Sequence, residues 1–115
     1  PPAHAVNDGF AQEPQAHGMY HGEKVAFGTL VQLVLEKAPQ EELEQVLAFL
    51  RDTGLPLTLA QLGVKEIVPE TLKKVAEAAV VPTQSTKNLR ADITAQEVYD
   101  AILEADRIGR DYLAR

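Results

Sequence analysis

From His21 to Lys37 the chain carries a helical pattern that is apolar on nearly every side. Val25, Ala26, Phe27, Leu30, Val31, Leu33, Val34 and Leu35 leave almost no polar face. A surface helix confines its apolar residues to one stripe, so a segment like this has to be surrounded. It predicts a central helix whose exposed remainder would be an association surface. The apolar run from Val25 to Leu35 is interrupted by Gly28, Thr29 and Gln32 and is too short to cross a bilayer, so no membrane partner is expected.

The rest of the chain supplies amphipathic neighbours. Ala3 to Ala11 reads as a short helix behind Pro1 and Pro2, and Pro14 and Gly18 interrupt the chain beyond it. After Pro39, the acidic turn Gln40-Glu41-Glu42 suits the positive end of a helix dipole. Leu43, Val46, Leu47 and Leu50 come next at helical spacing, and Gly54 is the expected stop. Thr58 and Gln61 have capping-box spacing and predict a single helical turn before Gly63. Pro69 opens another helix with a stripe of Leu72, Val75, Ala76 and Ala79. Val81 to Asp92 reads as a long loop, of a length more often functional than idle. Thr94 and Glu97 form a second capping box, starting a helix with Val98, Ile102, Ala105, Gly109 and Tyr112 on one face. No segment alternates with a period of two and no repeat is visible. The fold class is all-α, a helical bundle with residues 1–115 as a single domain.

Composition narrows the chemistry. A net charge of -6, with no basic stripe, argues against nucleic acid as a partner. The absence of cysteine excludes disulfides, thiolate metal sites and thiol catalysis. The chain opens on Pro1-Pro2 with neither Met nor a signal sequence and reads as the middle of a longer protein. All three histidines, His4, His17 and His21, fall in one stretch, AHAVNDGFAQEPQAHGMYHGEKVAFG. Imidazole is a common ligand for zinc and other divalent first-row metals, and a Pro-containing loop between His4 and His21 can bring the two together. Asp8, four residues after His4, shares its helical face and could serve as a rescue ligand. His17 reads either as a solvated loop residue or as part of the site lining, and Phe10 either as cleft or as core. Gly22 and Gly28 suggest close backbone approach or simple packing.

The segments AHAV, HGEKVAFGTLVQLVLE, GLPLTLAQL, VAEAA and VYDAIL together resemble the C-terminal helical domain of the glycerol dehydrogenases. Those enzymes sit in the iron-containing (group III) alcohol dehydrogenase family, with a dehydroquinate synthase-like fold. The resemblance runs through nearly the whole chain, and HGEKVAFG is its most specific part. It implies an N-terminal α/β domain for NAD, absent here, and a helical domain that supplies ligands to a zinc or iron ion in the cleft between them. On that resemblance His4 and His21 match the two histidine ligands, and the matching Asp lies upstream. Asn7, Phe10 and His17 fall near the substrate and cofactor cleft. Asn7 stands where the family motif commonly has a second His, and Ser85-Thr86-Lys87-Asn88 where it often has Thr-Ile-His-Asn.

The implied function is oxidation of glycerol to dihydroxyacetone with hydride transfer to NAD, by a cytoplasmic homo-oligomer acting on a small polyol. The isolated chain is expected to be inactive. Two alternatives stand beside it. Lys87 and Arg90 suit a hydroxycarboxylate substrate, and the apolar second helix suits a non-catalytic interaction module.

Overall fold

A computed structural model describes residues 9–18, 20–80 and 93–115. His4, Asn7, Asp8 and most of the helix expected over Ala3 to Ala11 lie outside the described residues, as does the loop expected from Val81 to Asp92 with Lys87 and Arg90. Among the described residues two short 3-10 turns, η1 (Phe10–Gln12) and η2 (Pro14–Ala16), precede four helices: α1 (His21–Leu35), α2 (Gln40–Thr53), α3 (Pro69–Ala79) and α4 (Ala95–Leu113). No strand occurs among the described residues, as an all-α reading requires.

The apolar α1 takes the centre. It packs against α4 along one side and α2 along another, while α3 closes on α4 and η1. Phe27, Leu30 and Val31 are fully buried, and Val25, Val34 and Leu35 are half-buried. Thr29 is accommodated in this apolar environment because its hydroxyl donates to the Val25 carbonyl one turn back, at 3.0 Å.

Each boundary has a local cause. Glu23 Oε1 accepts from the Tyr20 backbone N–H at 3.0 Å and so satisfies a donor at the start of α1. Both α1 and α2 end with the paired bonds of a left-handed stop: Ala38 N–H to Leu33 O and Lys37 N–H to Val34 O, then Leu55 N–H to Leu50 O and Gly54 N–H to Arg51 O. The second stop uses the expected Gly54, at φ 74°; the first places Lys37 at φ 55°, where a side chain is disfavoured. At α4, Thr94 Oγ1 accepts from Glu97 N–H at 3.1 Å and Glu97 Oε1 accepts from Thr94 N–H at 3.2 Å, which is the reciprocal box the spacing predicts.

The single helical turn expected between Pro56 and Gly63 forms, with Leu62 N–H donating to Thr58 O at 3.1 Å, but it does not extend into a helix. Thr58 Oγ1 does accept from Gln61 N–H at 3.0 Å, but Gln61 Oε1 turns back one residue further and accepts from Leu57 N–H at 2.9 Å. The segment continues as a series of turns and buries Leu57, Leu59 and Leu62. It is held from outside, because Asp106 on α4 is 4% exposed and its Oδ1 accepts from Leu59 N–H at 2.8 Å. Oδ2 of the same carboxylate accepts from Arg110 Nε at 3.0 Å. Asp106→Ala is expected to cost about 2 kcal/mol, because it strands a buried backbone donor. Asp106→Asn, which retains an acceptor for Leu59, should recover most of that loss in denaturant titrations. An unchanged midpoint for the alanine variant would remove Asp106 from this role.

Gly109 lets α4 pack closely, and its partner is the turn segment at Leu57 and Thr58. A Cβ at Gly109 would lie 1.7 Å from the Leu57 carbonyl oxygen. At the end of α4, two guanidiniums lie over the Tyr112 ring, Arg115 at 5.0 Å and Arg51 at 5.2 Å from its centroid. Arg115 also makes two parallel bonds to the Glu44 carboxylate, at 2.7 and 2.8 Å. That hydrogen-bonded guanidinium holds the Glu44 carboxyl below its usual range, as Arg107 does for Glu104 on α4.

Candidate metal-ligating segment

The stretch that enters α1 is built from its own hydrogen bonds. Glu13 N–H donates to Phe10 O, Ala16 N–H to Glu13 O, and His17 N–H to Pro14 O. His17 is exposed, and its Nε2 lies 3.0 Å from Ala11 O. A carbonyl can only accept, so Nε2 carries the proton and Nδ1 is the ring's remaining acceptor. Glu13 is only 1% exposed; its Oε1 accepts from both the backbone N–H and Nε2 of Gln15, at 3.0 and 3.2 Å. Glu13 Oε2 is buried without a hydrogen-bond partner among the described residues.

Gln15 ties this loop to a segment fifty-one residues away. Its amide donates to Glu66 O at 2.7 Å and accepts from Glu66 N–H at 3.1 Å, as a paired strand residue would. The other anchor is Gly9, where a Cβ would stand 2.4 Å from the Val75 carbonyl of α3. The loop between the two candidate ligands is thus pinned to α3 at one end and to the turn before α3 near its middle.

His21 is the first residue of α1 and is exposed, beside Tyr20 at 81% exposure. Phe10 belongs to the core: it is fully buried and meets Phe27 edge-on, with ring centroids 6.2 Å apart. A Cβ on Gly22 would meet nothing within 4 Å, so close backbone approach is not its reason for being glycine. Among the described residues no three His, Cys, Asp or Glu side chains converge as a metal site. The donor chemistry fits a zinc or iron ion in kind, since His21 presents an imidazole at an accessible helix end. Of the two candidate ligands only His21 is described, and His4 lies outside the described residues.

The loop's anchoring was not legible in the sequence. Glu13 and Gln15 look like ordinary polar loop residues, and nothing in their spacing points to Glu66.

These features define an all-α domain with a central apolar helix opened by HGEKVAFG. No family model matches the chain. Glycerol dehydrogenase of Escherichia coli O6:H1 is 52% identical over 111 residues, 96% of this chain and 30% of that protein. Glycerol dehydrogenase of Citrobacter freundii is 46% identical over 113 residues, 98% of this chain and 31% of that protein. The crystal structure of a probable glycerol dehydrogenase from Sinorhizobium meliloti superposes with a TM-score of 0.90 at 43% identity, covering 96% of this chain and 31% of its own. The chain belongs to the glycerol dehydrogenase family, and it spans about three tenths of the length of the relatives it matches.

Proposed function

We propose that this chain is the ligand-bearing C-terminal helical portion of a longer, NAD-dependent polyol dehydrogenase. The observation that carries the reading is 52% identity to a glycerol dehydrogenase across 96% of the chain, including the exposed His21 at the head of the central helix. In the reaction, a secondary hydroxyl loses its proton, the carbinol carbon gives a hydride to the nicotinamide, and a ketone is left. Glycerol would give dihydroxyacetone.

His4 and His21 would hold a divalent metal, zinc or iron, together with a carboxylate from the upstream region. When bound, such an ion supplies Lewis acidity toward the substrate hydroxyl. The chain's own contribution is positional. The Glu13–Gln15–Glu66 network and the Gly9–Val75 contact hold the loop on which the spacing of the two histidines depends, and rigid support of this kind sets ligand geometry. NAD would be bound by the upstream α/β domain, because the sequence contains no G-x-G-x-x-G fingerprint. The same reading assigns the protein to the cytoplasm and to a homo-oligomer. Among the described residues no helix is long and apolar enough to cross a membrane.

The test compares two lengths of protein: the 115-residue chain, and a long form extended upstream to the length of the relatives. The long form is expected to reduce NAD with glycerol faster than with 2-hydroxycarboxylates, and the 115-residue chain to bind no NAD by calorimetry. Preference for the hydroxycarboxylate would move the assignment to the alternative that Lys87 and Arg90 suggest. NAD binding by the short chain would contradict the division of labour.

A further inference from the structure

Two carboxyl groups are buried among the described residues, and the fold treats them differently. Asp106, 4% exposed, has a donor on each oxygen, Leu59 N–H on one and Arg110 Nε on the other. Glu13, 1% exposed, has both of its donors on Oε1, and Oε2 has no hydrogen-bond partner among the described residues. A buried acceptor without a partner gives up its water and gains nothing in exchange, so the carboxyl at position 13 works against folding. Phe10 and Ala16, three residues away on either side, are fully buried, and a leucine at position 13 would suit that company. A residue at odds with its own surroundings points to a role other than folding.

We propose that Glu13 is a positioning residue for the metal ligands. Its carboxyl stays in the core, at a cost to stability, to aim Gln15 at Glu66 and so fix the loop between His4 and His21. The proposal rests on the reading of those two histidines as ligands. Glu13 stands nine residues after His4 and eight before His21, in the middle of the span. Its Oε1 accepts from Gln15 N–H, which shapes η2, and from Gln15 Nε2, which turns the side-chain amide toward Glu66. So oriented, the amide donates to Glu66 O at 2.7 Å and accepts from Glu66 N–H at 3.1 Å.

An apolar side chain at position 13 fills the same space but holds no donor, and an unheld glutamine on a loop has several rotamers to choose from. The loop would then keep the Gly9 contact with Val75 and lose its fastening at residue 66. Ligands at the two ends of a loosened loop have to be ordered when metal binds, and that ordering shows as weaker affinity.

The test uses the long form stripped of metal, as the parent and as Glu13→Leu and Glu13→Gln. Two quantities are read on each: zinc affinity, by competition with a chromophoric chelator, and the midpoint of urea unfolding without metal. Glu13→Leu is expected to bind zinc roughly 10–100-fold more weakly, the range for losing a residue that orients a ligand, with a metal-free midpoint no lower than the parent's. Glu13→Gln keeps an acceptor for Gln15 and is expected to restore near-parental affinity. A residue that merely supports the fold would give the opposite pattern, a lower midpoint with affinity intact. Parental affinity in Glu13→Leu overturns the proposal, as does a loss that Glu13→Gln shares in full or that comes with a lowered midpoint. Gln15→Ala, at a half-buried position, removes the same fastening from its other side should the leucine variant fold poorly, and parental affinity there overturns the proposal equally. A parent that binds no zinc defeats the ligand reading on which the role of Glu13 rests, whereas parental affinity in the variants defeats that role alone.

Discussion

Gly109→Ala is expected to destabilise this chain by about 3 kcal/mol, at the upper end of ordinary overpacking effects. The sign is what makes the experiment informative. In the interior of a helix, alanine is favoured over glycine by about 1 kcal/mol, so propensity alone predicts stabilisation. The new Cβ, however, would lie 1.7 Å from the carbonyl oxygen and 2.7 Å from the carbonyl carbon of Leu57. Those are backbone atoms, and the segment that carries them is fixed in turn by the buried Leu57 and Leu59 side chains and by Asp106. Neither partner can yield cheaply, so α4 must lift away from the 57–59 segment. Gly18→Ala, whose Cβ would meet nothing within 4 Å, is the matched control and should melt like the parent. Equal melting temperatures for the two variants would show that the α4 contact is looser than described.

The second large effect is on activity. In the long form of the enzyme, His21→Ala is expected to lower metal-dependent turnover by more than the roughly 10–100-fold typical of losing an outer-shell partner of a metal. Helical content should be nearly unchanged, because His21 is an exposed first residue of α1 and its ring is not part of the core. His17→Ala supplies the comparison. Its ring bonds Ala11 O within the same loop, so its loss should perturb the loop with a smaller effect on rate. Full turnover of His21→Ala at full metal occupancy would sink the ligand assignment.

Most of the helical framework was readable from local signals. Pro39, Gly54, Pro69 and the Thr94–Glu97 box act within a few residues of themselves, and each marks a boundary that the structure keeps. The Thr58–Gln61 pair shows where such reading stops. Its spacing is that of a helix start, but the Gln61 side chain finds the Leu57 N–H instead, and Leu59 N–H is claimed by a carboxylate forty-seven residues away. A local motif cannot anticipate a competitor that arrives through the fold. Phe10 illustrates the same limit: a large apolar residue between two histidines suits either a cleft or a core, and only its edge-on contact with Phe27 places it in the core.

The candidate site divides in the same way. The histidine cluster and the HGEKVAFG helix start are properties of residue type and short spacing, so they are visible in the chain as written, as is the all-α class. The Gln15–Glu66 pairing, the demand for glycine at positions 9 and 109, and the contacts of Arg51 and Arg115 with the Tyr112 ring each join residues far apart in sequence or on different elements. Helix periodicity is a short-range property that the order of residues carries by itself. Close approach between elements is decided by how helices of given length and bulk come to rest against one another, and that is settled only when the central apolar helix is buried and every neighbour has taken its place around it.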